Sequence, residues 1–250
     1  MKKPFIITAV GTITAAVTAL CVASHQKSML GTLPVKLPEG LTVTAHTGCE
    51  KTKDNSLESI TAGAQAGADI VEIDLHFTAD GTPVLSHDKP AEGAVLPTFD
   101  DALELLKDLD VRMNIDVKAT DNMREAYELI IKHGVQDKVF FTGVEEEKVP
   151  AIKSAAPGIP YYLNVSVNKN KSTDLDYLSD LVSRVRLSGA IGINMSFKEA
   201  SPELVRFFRS EGLLVSLWTA NKKSEMKHCL KLCPDNITTR KVTLLKSLIN

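Results

Sequence analysis

Cysteine is scarce in this chain of 250 residues, with four at positions 21, 49, 229 and 233. They are too few and too scattered to staple a disulfide scaffold, so an apolar core has to hold the fold. Only three lie beyond residue 23, which leaves at least one unpaired in a monomer, and no structural disulfide is expected. An excess of one charge sign is missing too. Lysine and arginine number 29 against 31 acidic residues, a net charge of −2, with no basic cluster beyond short pairs. That excludes the electrostatic footprint of a nucleic-acid binder. No glycine-rich phosphate loop follows the first strand candidate, which removes the main support for a doubly wound nucleotide fold. Internal repeats and low-complexity tracts are absent as well. What remains is 44% hydrophobic, with 14 glycines and 11 prolines, an ordinary globular composition at a length that suits a single (β/α)8 barrel.

The N-terminus stands apart. Lys2 and Lys3 precede an apolar run over residues 5–23, broken only by Gly11 and threonines. With Cys21-Val22-Ala23 as a small-x-small site, it reads as a secretory signal cleaved after Ala23. The run is also long enough to span a bilayer, so an uncleaved anchor is the alternative. Leu20 is too bulky for the residue before a lipidated cysteine. Either way Lys2 and Lys3 favour the cytoplasmic side, and the rest is expected to be exported, secreted or membrane-anchored. If the segment is uncleaved, it supplies the only expected membrane contact. Residues 24–39 read as a linker and 40–250 as the folded domain.

From residue 41 the chain alternates strand-like and helical periods. Strand candidates cover 41–46, 69–76, 112–118, 138–142, 160–165, 190–195, 213–219 and 236–239, separated by amphipathic stretches such as 57–66, 99–109, 123–133, 175–187 and 202–210. Asn55, Asp121 and Ser201-Pro202-Glu203 supply helix starts, and Gly67, Gly134, Gly189 and Gly212 supply stops. Eight strands alternating with helices predict a parallel TIM barrel. The Asp80-Gly81 turn followed by a short extra strand over 84–87 predicts a small β-hairpin insertion after strand 2.

Active-site groups of such a barrel sit at the C-terminal ends of its strands. His46 ends the first. In Val71-Glu72-Ile73-Asp74-Leu75-His76, period two puts Glu72, Asp74 and His76 on one face and the aliphatic residues on the other. Carboxylates buried at i and i+2 are costly without a cation. Asp116 and Lys118 repeat the arrangement on the next barrel strand, and three converging carboxylates suit one hard divalent ion, Mg²⁺ or Ca²⁺. His46 and His87 add two imidazoles near the same mouth, completing the parts needed to split a phosphodiester. His76 reads as a residue of the pocket wall or of the layer just behind it, His133 as a favourable helix-dipole partner, and Cys229 with Cys233 as a packed face.

In this order the residues resemble the glycerophosphodiester phosphodiesterase family over 41–241. The family's His-Arg-Gly is met by His46-Thr47-Gly48, its Glu-Asn-Thr by Asp54-Asn55-Ser56, and its metal strand by Val71-Glu72-Ile73-Asp74. Asp80-Gly81 leading to His87-Asp88 is similar to its hairpin and second histidine. Asp116-Val117-Lys118 stands for its Glu-x-Lys, and Trp218-Thr219-Ala220-Asn221 for its Trp-Thr-x-Asn. The resemblance implies that Glu72, Asp74 and Asp116 hold the cation and that His46 and His87 act as general base and acid, in an order the sequence leaves open. It also implies that Lys118 meets the phosphate of a small-molecule or lipid-derived phosphodiester and that Trp218 lines the alcohol pocket.

Three departures accompany it. Thr47, at a substrate-binding position, replaces an arginine that would grip the phosphate. Asp54 and Asp116 are each one methylene shorter than the family glutamate, and a related branch, the sphingomyelinase D-like phospholipases, is similar in carrying Asp-x-Lys. Thr238-Thr239 stands where the family shows Thr-Asp. The expected activity is hydrolysis of glycerophosphodiesters to an alcohol and glycerol 3-phosphate. The alternatives are a phospholipase acting on intact membrane phospholipids and a catalytically weak phosphate-ester binding module.

Overall fold

Where apolar residues recur at every second position, the chain forms the strands of a closed barrel. The computed structural model describes residues 40–249, so the signal or anchor expected over 1–23 and the linker over 24–39 lie outside the described residues. No helix among the described residues is long and apolar enough to cross a membrane. The first half runs β1 (Thr42–Ala45), α1 (Leu57–Gln65), β2 (Ile70–Phe77), β3 (Pro83–Leu85), α2 (Phe99–Lys107), β4 (Arg112–Val117), α3 (Met123–His133) and β5 (Val139–Val144). The second runs α4 (Val149–Ala155), β6 (Tyr161–Asn164), α5 (Leu175–Ser188), β7 (Gly192–Ser196), α6 (Pro202–Ser210), β8 (Leu214–Trp218), α7 (Lys223–Leu232), β9 (Asn236–Thr239) and α8 (Val242–Ile249). Eight of the strands pair in parallel, and β1 closes the ring by pairing with both β2 and β9. β3 lies antiparallel on β2, with Leu75 opposite Leu85 and His76 opposite Val84.

Helix boundaries follow local chemistry. Ser201 accepts from the Leu204 amide with Pro202 in the first turn of α6, and Gly134 ends α3 in the left-handed region at φ 66°. Two starts differ from the sequence reading. Ser56, not Asn55, caps α1 by accepting from the Ser59 amide, because the Asn55 side chain is committed elsewhere. Asn122, not Asp121, precedes α3, without a side-chain cap bond. His133 does more than face a helix dipole. Its Nε2 lies 2.7 Å from Asp100 and its Nδ1 3.2 Å from Glu104, so this buried ring ties α3 to α2. Cys49, Cys229 and Cys233 are free thiols.

The barrel has two different faces. Val71, Ile73, Leu75, Met113, Ile115 and Val117 are almost fully buried in the apolar core. The alternate residues on the same strands point into a polar lumen. Asn236 is its hub: Oδ1 accepts from the Thr42 and Thr44 hydroxyls, and Nδ2 donates to Ser216 and Thr238. All five are buried, so each bond replaces one that water would otherwise supply. Asn236→Ala should lower unfolding free energy by about 1–3 kcal/mol, because buried hydroxyls lose their partner. Urea unfolding reads this. A change below about 0.5 kcal/mol would mean that the lumen repairs the loss.

Candidate active site

Strand register assembles the acidic centre. β2 pairs with β4 so that Asp74 lies directly beside Asp116 and Glu72 beside Asn114. Carboxylate oxygens of Glu72, Asp74 and Asp116 all come within 4.8 Å of one another. Glu72 and Asp74 are 3% and 2% exposed, so their mutual repulsion is poorly screened. Lys118 answers part of it, with Nζ 2.9 Å from Asp74 and 2.7 Å from Asp116. Burial opposes the ammonium charge, but Asp116 and Asp74 more than offset that and hold Lys118 above lysine's ordinary value. Burial and then the two neighbouring carboxylates push Glu72 well above the usual carboxylate range. Asp116 Oδ1 is buried with no hydrogen-bond partner. An orphaned oxygen and an all-oxygen donor set of three carboxylates fit a divalent cation.

Two residues outside the acidic set hold it in shape. Asn55 grips Asp74 twice, Nδ2 donating to Oδ2 at 2.8 Å and Oδ1 accepting from the backbone amide at 3.0 Å. On β5, Gly143 has φ +67°, and a Cβ there would overlap Asp116 Oδ1 and crowd the Val117 backbone. Gly143→Ala should therefore displace Asp116 and lower kcat/KM by about 10- to 100-fold, as small misplacements in catalytic sites do. Steady-state kinetics at saturating metal would show it, and wild-type values would mean that β5 yields instead.

His46 leaves β1 beside this centre. Its Nδ1 donates to the Thr47 carbonyl at 2.9 Å and lies 3.7 Å from Glu72. Burial lowers His46 below histidine's ordinary value; Arg240 adds to that, against the opposing pull of the Thr47 carbonyl, Asp74 and Asp116. His87 follows β3 and is largely exposed, with Nδ1 2.9 Å from Asp88. His46, Glu72, Asp74, His87, Asp116, Lys118 and Trp218 all line one cavity of about 430 Å³ at the barrel mouth. Asn114, Thr142, Asn164 and Asn194 complete a polar wall.

Neither Thr47 nor His76 lines this cavity. Thr47 is 2% exposed: its hydroxyl accepts from the Asn55 amide and its own amide donates to Glu72 at 2.7 Å. It shapes the centre from behind, through Asn55 and Glu72, and not from the cavity wall. His76 sits where β2 continues into its pairing with β3, and its Nδ1 accepts from the Phe77 amide. Lys148 lines the cavity but donates to Val117 O, Gly143 O and Glu145, which occupies its three protons. Cys49 is buried against Ser59, and burial pushes its thiol up, away from nucleophilic use.

Residues 44–95 and 89–244 match the family model described as the glycerophosphoryl diester phosphodiesterase family. The chain belongs to that family. This phosphodiesterase is 27% identical over 231 residues to the glycerophosphodiester phosphodiesterase of Caldanaerobacter subterraneus subsp. tengcongensis, covering 79% of this chain and 93% of that protein. A phosphodiesterase of Oleispira antarctica, solved in complex with the product sn-glycerol-3-phosphate, superposes with a TM-score of 0.71 at 19% identity, over 90% of this chain and 98% of that one. A second solved relative, from Silicibacter pomeroyi, gives a TM-score of 0.71 at 17% identity over 89% and 97%. At those identities the two structures speak for the phosphodiesterase's fold.

The sequence reading gave no role to Asn164, Asn194 or Arg240, and it placed Asn55 only as a helix start and in the Asp54-Asn55-Ser56 motif, without its grip on Asp74. For Arg240 a signal existed: it follows Thr239 at the C-terminal end of the eighth barrel strand, where this fold places its chemistry.

Proposed function

We propose that this phosphodiesterase hydrolyses glycerophosphodiesters to an alcohol and glycerol 3-phosphate, with one divalent cation held by Glu72, Asp74 and Asp116. The observation that carries the reading is the meeting of three carboxylates, a lysine and two histidines around one polar cavity. When bound, the cation offsets negative charge on the phosphoryl oxygens. His46 acts as general base: its Nδ1 proton is held by the Thr47 carbonyl, which leaves Nε2 to take a proton from the attacking hydroxyl. His87 delivers a proton to the departing alcohol, with Asp88 orienting its ring. Lys118 spends two donors on Asp74 and Asp116 and has a third for a phosphate oxygen. Trp218, 40% exposed at the rim, offers an aromatic face to the alcohol.

The asparagine-lined wall supports a small hydroxyl-bearing substrate over an acyl chain, because apolar groups gain nothing from displacing water there. Incubation with glycerophosphocholine, glycerophosphoglycerol and micellar phosphatidylcholine separates the cases. Glycerol 3-phosphate should appear from the first two, whereas phosphate esters released only from micelles would support a phospholipase. The basic start and apolar run over residues 2–23 support export, with this domain outside the cytoplasm. An alkaline phosphatase fusion at residue 40 would be active in that case and silent if the chain stays inside.

A further inference from the structure

The triplet His46-Thr47-Gly48 lacks the arginine that would grip a phosphate, yet an arginine reaches the same place from the far end of the chain. β1 and β9 are parallel neighbours with Ala45 beside Thr239, so the segments leaving them run side by side and bring Arg240 next to His46 and Thr47. Arg240 lines the cavity that holds the acidic centre and both histidines. Nε donates to the Thr47 carbonyl at 2.9 Å, the same oxygen that accepts from His46 Nδ1. Nη2 donates to Asp54 at 3.1 Å, and the Arg240 backbone amide donates to Asn221 Oδ1 at 2.8 Å. Gly48 makes room for this arrangement, since a Cβ there would overlap the Asp54 carboxylate.

We infer that Arg240 is the phosphate-gripping arginine of this enzyme, a substrate-binding residue that replaces in space the one absent at position 47. An arginine carries five donors. Two are used on Thr47 and Asp54, which fix the plane of the guanidinium, and the remaining three belong to the Nη atoms. A planar cation held in this way, 40% exposed at the cavity, suits the paired oxygens of a phosphodiester or phosphomonoester. Lys148, the other cation on the wall not tied to the acidic centre, has all three donors engaged with protein oxygens. The anion therefore meets Lys118 and Arg240. The assignment rests on the proposed activity only in naming the ligand, and binding tests it without turnover.

The experiment compares wild type with Arg240→Met and Arg240→Lys, using glycerol 3-phosphate and inorganic phosphate as probes, glycerol as the uncharged control, and Mg²⁺ or Ca²⁺ titrated separately. Arg240→Met should weaken both anions by about 10- to 100-fold, the effect of one lost charge-assisted contact. Arg240→Lys should fall between, because it keeps charge but not the fork. Glycerol binding should not move, and cation affinity should hold or tighten as a positive neighbour leaves. In kinetics the loss should appear in kcat/KM. Unchanged anion affinity in Arg240→Met would overturn the proposal. So would a parallel loss of cation affinity, or failure of both variants to fold, since either would make Arg240 a strut between Thr47 and Asp54. A wild type that binds neither anion overturns it too, whereas a wild type that binds them but hydrolyses no glycerophosphodiester sinks only the proposed activity.

Discussion

His46→Ala should lower kcat/KM for glycerophosphodiester hydrolysis by about 10²- to 10⁴-fold, the range for loss of a positioned general base. The imidazole is fixed on one side by the Thr47 carbonyl and stands against Glu72, and alanine offers no group that accepts a proton in its place. The pH profile gives an independent check. Burial lowers the His46 value beneath the ordinary 6.5, and a bound cation would push it in the same direction. The neutral ring is the active form, so the rate should fall with decreasing pH along a limb whose midpoint lies below 6.5, and His46→Ala should lose that limb. Stability follows the same sign. The folded protein holds this proton less tightly than the unfolded chain does, so the contribution is present above about 6.5 and lost as pH falls through the lowered value. A variant within threefold of wild type would remove His46 from the reaction.

Asp74→Asn should cost about 10³-fold or more in activity, because it removes the carboxylate at the middle of the acidic set and with it most of the cation's charge offset. Asp74 is held twice by Asn55 and once by Lys118, and the amide is nearly the same size. The fold should therefore survive while the site fails. Thermal unfolding separates these outcomes without any turnover. A cation at 100 times its dissociation constant should stabilise wild type by about 2.7 kcal/mol, and Asp74→Asn should lose that increment while melting normally in chelator. Glu72 adds a proton to the balance. Because burial and its two acidic neighbours raise it, cation binding should expel a proton, so affinity should weaken as pH falls. Calorimetry in two buffers of different ionisation enthalpy measures the proton released. An equal metal-induced shift in wild type and Asp74→Asn would place the cation elsewhere.

Much of this site was legible because parity on a strand is a strong signal. Aliphatic residues at 71, 73 and 75 mark the face turned to the helices, which leaves Glu72 and Asp74 no direction but the lumen. Parallel pairing then puts Asp116 beside Asp74. Residues whose roles depend on turns rather than parity were not legible. Asn55 sits in the left-handed region at φ 53° and reaches back to Asp74, where helix-start chemistry alone makes it a cap. Thr47 points behind the centre because its hydroxyl takes the Asn55 amide, and no periodicity reports that. Arg240 lies 194 positions from His46 in sequence and touches its neighbour only because the barrel closes β9 onto β1. The polar lumen was half visible: Asn114 and Asn194 each stand between apolar strand residues, but their hydrogen-bond partners come from neighbouring strands.

The most direct measurement is release of glycerol 3-phosphate from glycerophosphocholine by purified protein with Mg²⁺ or Ca²⁺, after chelation, and after the cation is restored. Release that stops in chelator and returns with the cation is the predicted result. Undiminished release in chelator, or none with either cation from folded protein, would contradict a metal-assisted phosphodiesterase at this barrel mouth.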